Sequence, residues 1–299
     1  MSKARVELDG LSFALRRAGP ETGGRAPVLL AHCSLAHSGL WRPIMDALAD
    51  ERRCVAPDLP GHGASAAPPE GVTLPDLGLR LCIRLLEELT EGGARPAHAV
   101  GLSLGAAILG MAARERPDLL ASATLIEPVY FHLLRLAGRE EEAREEEALM
   151  AEVEALWRAG RGAEGVRRFM QVWGAPGGLA GRGEEGLAYA LRCYGHLRRD
   201  WDRQRAGGGL ISAQDIAALR TPLLLVDGAR TPRPAAAVLD VMQALNPAAR
   251  RVTIAEAGHL SPVTHPAETL AALRAFWDEV ETPAPGAAPC DPVGAGPLG

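Results

Sequence analysis

Eight short apolar runs alternate with longer stretches of helical period, and this order constrains the fold more than any other feature of the chain. The runs fall at 6–8, 13–15, 28–32, 53–57, 97–102, 123–127, 223–227 and 251–255. Helices are expected at roughly 40–49, 74–90, 104–115, 234–245 and 266–280, between and after them. Leu77, Leu81, Leu85 and Leu89 recur every four residues, which sets them along one helix face. Alternation of this kind predicts an α/β fold, a mostly parallel eight-stranded sheet flanked by helices.

The rhythm fails over 129–212, a segment rich in arginine and glutamate that reads as several amphipathic helices without a strand. Such a length is too great for a loop inside a compact domain, so an inserted helical cap is expected there. Its run REEEAREEE (139–147) reads as the solvated face of one helix. The chain then divides into a core at 1–128, a cap at 129–212, the rest of the core at 213–281 and a Pro/Gly-rich tail at 282–299, expected to be disordered.

At 299 residues and 47% apolar content there is material for a sizeable core. The net charge of −5 is spread along the length, which argues against a nucleic-acid partner. MSKARVELDG lacks the apolar centre of a signal peptide, and the longest apolar window, 100–113, is too short to span a bilayer. Five cysteines (Cys33, Cys54, Cys82, Cys193 and Cys290) form no C-x-x-C pair and are odd in number. That fits a reducing cytoplasm better than a disulfide framework or a zinc site. A cytoplasmic protein with a small-molecule substrate and no membrane partner is expected; the sequence leaves a homo-oligomer open.

Chemistry enters with GLSLGAA, residues 101–107, between a predicted strand and a predicted helix. Gly101-x-Ser103-x-Gly105 matches the nucleophile elbow, in which tiny neighbours let the chain fold back sharply. The turn lifts the serine hydroxyl above the sheet and sets it at a helix N-terminus, where amides face a developing anion.

With three further segments in the same order, the chain resembles the α/β-hydrolase superfamily over roughly residues 5–280. VLLAHCSLAHSGLW (28–41) is similar to the family's oxyanion loop, APDLPGHGAS (56–65) to its Asp-x-x-Gly-x-Gly-x-Ser turn, and EAGHLSPVTHP (256–266) to its late histidine loop. The resemblance implies Ser103 as nucleophile and His259 as its base, with the N–H groups of Leu104 and Ser34 as the oxyanion hole. Cys33 stands where the family usually has glycine. His32 is expected to hold the oxyanion loop, His62 to belong to the Gly-His-Gly turn, and His265 to cap or pack. Neither a metal nor an organic cofactor is implied.

The family's acid usually follows the seventh strand, but LLLVDGARTPRP (223–234) carries Thr231 at that place. Three readings stand. Asp227 serves from the seventh strand itself, a weakened Ser–His dyad operates, or Glu127 supplies the carboxylate from the end of the preceding strand, as in certain haloalkane dehalogenases. Glu127 is the reading adopted, because active sites of open α/β folds gather on the carboxyl edge of the sheet.

Eight of the twelve aromatic residues lie in the insertion (Tyr130, Phe131, Trp157, Phe169, Trp173, Tyr189, Tyr194 and Trp201), enough for a small helical core and for an apolar pocket as well. Tyr130, Phe131 and His132 are expected to face the site. The resulting expectation is a serine hydrolase of a small ester, thioester or lactone. Carbon–carbon bond hydrolysis on the same site, and a non-catalytic ligand-binding relative without its acid, are the alternatives.

Overall fold

Successive residues of the central strands face opposite sides, and both sides are apolar. Leu29 and Ala31 pack in one core while Val28 and Leu30 pack in the other, and Leu225 and Leu224 divide in the same way. A sheet buried on both faces needs helices on both. The computed structural model describes residues 1–282 apart from 23, 176, 178–182 and 200–209. The expected tail, Trp201 and Cys290 lie outside the described residues.

The strands are β1 (Ser2–Leu8), β2 (Leu11–Ala18), β3 (Arg25–Ala31), β4 (Arg52–Pro57), β5 (Ala97–Leu102), β6 (Leu120–Ile126), β7 (Leu223–Gly228) and β8 (Arg250–Ile254). They form one sheet in the order β1-β2-β4-β3-β5-β6-β7-β8. β1 and β2 pair as an antiparallel hairpin and β2 runs antiparallel to β4; the remaining pairs are parallel.

The core helices are α1 (Arg42–Leu48), α2 (Leu74–Leu89), α3 (Leu104–Glu115), α8 (Ala213–Ala218), α9 (Arg233–Leu245), α10 (Ser261–Thr264) and α11 (Pro266–Glu281), and the inserted ones, between β6 and β7, are α4 (His132–Leu136), α5 (Glu140–Arg158), α6 (Gly162–Trp173) and α7 (Gly183–Arg198). On one face α1, the short helical turn Ser38–Trp41 before it and α11 bring Trp41, Ile44, Phe276 and Trp277 onto the sheet. On the other, α2, α3 and α9 share a core with the inserted helices.

α2 shows how the sequence builds one such element. Thr73 caps it by accepting from the Asp76 amide at 3.2 Å, and Leu77, Leu81, Leu85 and Leu89 are all buried. Among the described residues no helix is long and apolar enough to cross a membrane.

Candidate active site

The register of the sheet fixes which side chains meet. Leu102 of β5 lies beside Ile126 of β6, and Ile126 lies beside Val226 of β7. The next residues, Ser103 and Glu127, therefore leave the sheet side by side at its carboxyl edge. Both are left-handed, with φ of 56° and 45°. For residues with a Cβ this costs on the order of 1–3 kcal/mol each. Ser103 N–H to Ile126 O (2.8 Å), Ala107 N–H to Ser103 O (3.0 Å) and Glu127 N–H to Val226 O (3.1 Å) hold the two turns.

The elbow glycines are dictated by space. A Cβ on Gly105 would stand 2.3 Å from Ala31 O, and one on Gly101 2.5 Å from Ala106 N. Both clashes are with backbone, so neither position takes alanine without the chain moving.

Glu127 is 1% exposed, and its carboxylate is fully engaged. Oε1 accepts from the Gly228 amide at 3.0 Å. Oε2 accepts from the Thr231 hydroxyl and, at 2.5 Å, from His259 Nδ1–H. A carboxylate at Nδ1 fixes the proton there and leaves Nε2 as the nitrogen able to accept one. The loop that carries His259 follows β8 and is tied to the β7 turn through Arg230 N–H to Ala257 O (2.8 Å) and Ala229 N–H to Ile254 O (3.0 Å). Trp173 stands edge-on to the His259 ring at 5.0 Å.

Thr231, at the position where an acid was sought, thus donates to the Glu127 carboxylate at the end of the neighbouring strand. Asp227, the alternative from the sequence, is turned elsewhere. It pairs with Thr253 inside the sheet, and its carboxylate accepts from the Thr253 hydroxyl at 2.7 Å and from Arg251 at 2.5 Å. It braces β7 to β8 and does not bond to His259.

The loop after β3 is anchored from several sides. His32 donates through Nδ1–H to Cys33 O at 2.8 Å and accepts the Leu59 amide on Nε2 at 2.8 Å. His62, read from sequence only as part of its turn, reaches this loop too, accepting the Leu35 amide on Nε2 at 3.2 Å while Nδ1–H donates to Pro60 O. These bonds need neutral rings. Burial, helped by the mutual proximity of the two rings, holds His32 down at about 3; burial holds His62 at about 4. Asp58 accepts from the Ser38 and Ala64 amides at 2.7 and 2.9 Å. From α7, the Tyr189 hydroxyl accepts from Gly63 N–H at 2.9 Å and donates to Ala36 O at 2.5 Å. Leu35 is a further non-glycine residue with positive φ, at 60°.

Two chambers meet at Ser103, and Ser34, Phe169 and Trp173 border both. The smaller, about 40 Å³, is bordered also by Leu104, Val129, Phe131, His132, Glu146, Met150 and Leu197. The larger, about 330 Å³, has His259, Cys33, His37 and Leu260 among its walls.

Of the three residues expected to face the site, Phe131 and His132 border the smaller chamber. His132 donates from Nε2–H to Ile211 O at 3.1 Å, and its buried Nδ1 has no hydrogen-bond partner among the described residues. Tyr130 does not face the site: it is fully buried under α3, with its hydroxyl donating to Ala107 O at 2.7 Å.

One other expectation changes. The acidic run is not all solvated, because Glu146 is 3% exposed and borders the smaller chamber. Its spacing with Ala143, Met150 and Val153, all buried, was the available signal. His265 sits at the N-cap of α11 without a side-chain cap bond, its ring against the Thr264 hydroxyl at 2.8 Å. Among the described residues no group of three or more His, Cys, Asp or Glu could hold a metal ion.

A strained serine between β5 and α3, a histidine after β8 and an eight-stranded sheet in this order define a class. The model of the alpha/beta hydrolase family matches residues 28–273, and the chain belongs to that family. It is 27% identical over 292 residues to 2-(acetamidomethylene)succinate hydrolase of Mesorhizobium japonicum, covering 92% of this chain and 94% of that one. It is 40% identical over 107 residues to pimeloyl-[acyl-carrier protein] methyl ester esterase of Methylococcus capsulatus, covering 36% of this chain. The aligned segments span only 31% to 39% of the length of three curated relatives, that esterase among them. A crystal structure of a hydrolase from Pseudomonas aeruginosa superposes with a TM-score of 0.70 at 24% identity, over 92% of this chain and 98% of that chain.

Proposed function

We propose that the protein is a serine hydrolase that cleaves a small ester, thioester or lactone through an acyl-enzyme, with Ser103, His259 and Glu127 as its triad. The observation that carries the reading is the buried Glu127 carboxylate on His259 Nδ1 at 2.5 Å, with Ser103 and His259 bordering one chamber. Ser103 Oγ attacks the carbonyl carbon while His259 Nε2 takes its proton. Glu127 orients the ring and stabilises its charged form. The N–H groups of Leu104 and Ser34 receive the oxyanion, the first because it opens α3 and the second because the loop after β3 borders both chambers. The intermediate collapses, His259 returns the proton to the leaving oxygen, and water repeats the sequence on the acyl-enzyme.

The relative matched over nearly its whole length acts, by its name, on 2-(acetamidomethylene)succinate, a dicarboxylate. In this chain the described lining of the two chambers includes Glu146 and neither Arg nor Lys, a lining better suited to a neutral ester. A soluble, cytoplasmic enzyme that needs no metal or organic cofactor completes the proposal.

A screen of ester, thioester and lactone substrates tests it, with Ser103→Ala as control. Turnover by the wild type that falls by several orders of magnitude in Ser103→Ala is the expected result; equal turnover by both would end the reading.

A further inference from the structure

The chambers that meet at Ser103 differ in volume and in the reactive groups on their walls. His259 borders the larger and not the smaller, whereas Leu104 borders the smaller and not the larger. This difference assigns the two halves of an ester. When the tetrahedral intermediate collapses, the bond from carbon to the leaving oxygen breaks and that oxygen takes its proton from the imidazolium. The leaving group must therefore extend from the carbonyl carbon towards His259, into the larger chamber. The substituent that stays on Ser103 Oγ as the acyl-enzyme is left with the smaller one.

The smaller chamber then limits the acyl group. It offers about 40 Å³, against about 330 Å³ for its neighbour. The smaller chamber has roughly an eighth of its neighbour's volume, so it takes the shorter half of an ester and leaves the longer half to the larger one. Its walls do not yield easily. Met150 and Leu197 are 2% and 3% exposed and belong to the main core, and Phe131 packs against Trp173 at 5.6 Å between ring centres. Enlarging the space means displacing packed side chains, which is unfavourable where the neighbours cannot relax.

We propose that the enzyme is selective for esters of a short acyl group, acetyl or propionyl in size, carried on a bulky leaving group; the proposal rests on the serine-hydrolase reading above. Phe131 and Met150 set the limit on acyl length, and the larger chamber takes an aromatic or branched alcohol.

The test is a series of p-nitrophenyl esters, from acetate through butyrate and hexanoate to octanoate, with a parallel series of acetates of ethyl, benzyl and naphthyl alcohols. Wild-type kcat/KM is expected to fall at least tenfold between acetate and hexanoate, and to hold or rise from ethyl to naphthyl acetate. Phe131→Ala is expected to move the optimum to butyrate or beyond, read as at least a tenfold rise in the ratio of butyrate to acetate kcat/KM. Phe131→Leu, which disturbs the fold less, should shift it in the same direction by a smaller amount. A wild type that hydrolyses hexanoate as well as acetate would overturn the size assignment while leaving the serine mechanism intact. Failure to hydrolyse every ester, with no acylation of Ser103, would instead overturn the mechanism on which the assignment rests.

Discussion

At position 231 the chain has a hydroxyl, and that hydroxyl donates to the Glu127 oxygen that also meets His259. An aspartate there would set a second carboxylate against the first, so the two solutions exclude each other on charge. Glu127→Gln should keep the fold and lower turnover by roughly 10²–10⁴-fold, because an amide holds the imidazole less well and cannot balance its charge. Thr231→Val should cost about 10-fold in kcat with little change in KM, the worth of one hydrogen bond to a charged group. Adding Thr231→Asp to Glu127→Gln should recover part of the loss, measured as kcat on one ester. Missing from the sequence reading were the direction of Asp227, which depends on Thr253 and Arg251 arriving from β8, and the inward turn of Glu146, concealed by the acidic residues around it.

Among the elements, the eight strands and the longer helices were legible and the shortest helices were not. β5 and α3 fall at the predicted bounds, and α2 ends one residue early. Ser2–Arg5 at the start of β1 were missed because the strand is largely exposed and polar there. α4, α8 and α10 have four to six residues, too few for a helical period to register. The joint between α7 and the loops after β3 and β4 was not visible either, since the Tyr189 hydroxyl and the Cys193 thiol make it across more than a hundred residues. Tyr189→Phe removes both bonds of that hydroxyl and leaves Ala36 O and Gly63 N–H unpaired. It should lower the melting temperature by a few degrees, on about 1–3 kcal/mol, and lower kcat more than it raises KM. A drop in KM alone would detach Tyr189 from the oxyanion loop.

Across the whole molecule, buried histidines tie stability to pH. Burial holds His32 at about 3 and His62 and His98 at about 4, all below the ordinary 6.5. Between those limits the unfolded chain binds more protons than the folded one, so stability is full above pH 6.5 and falls as pH drops towards 4. Each group contributes up to about 1.4 kcal/mol per pH unit within its window. Glu281 adds to this: burial alone would raise it, but bonds from Arg52, His98 and Arg25 outweigh that and hold it at about 2, so its share is lost as pH falls below about 4.5. Urea unfolding at pH 7, 6 and 5 should show a midpoint that falls with each step, and a flat profile would contradict the neutral rings. In the folded protein His62 takes a proton only at about pH 4 and His32 only at about 3, and protonation there would release the Leu35 and Leu59 amides from Nε2, so the loop after β3 should loosen only at that acid end. The register of β5, β6 and β7 and the loop after β8 bring Ser103, Glu127 and His259 to one edge of the sheet, and their joint action is the central claim. The most direct measurement of it is the rate of fluorophosphonate labelling, read by intact mass, for the wild type, Ser103→Ala, Glu127→Gln and Asp227→Asn. Rapid single labelling of the wild type and of Asp227→Asn, none in Ser103→Ala and labelling slowed at least 100-fold in Glu127→Gln is the predicted result. A slow Asp227→Asn beside a normal Glu127→Gln, or an unlabelled wild type, would contradict it.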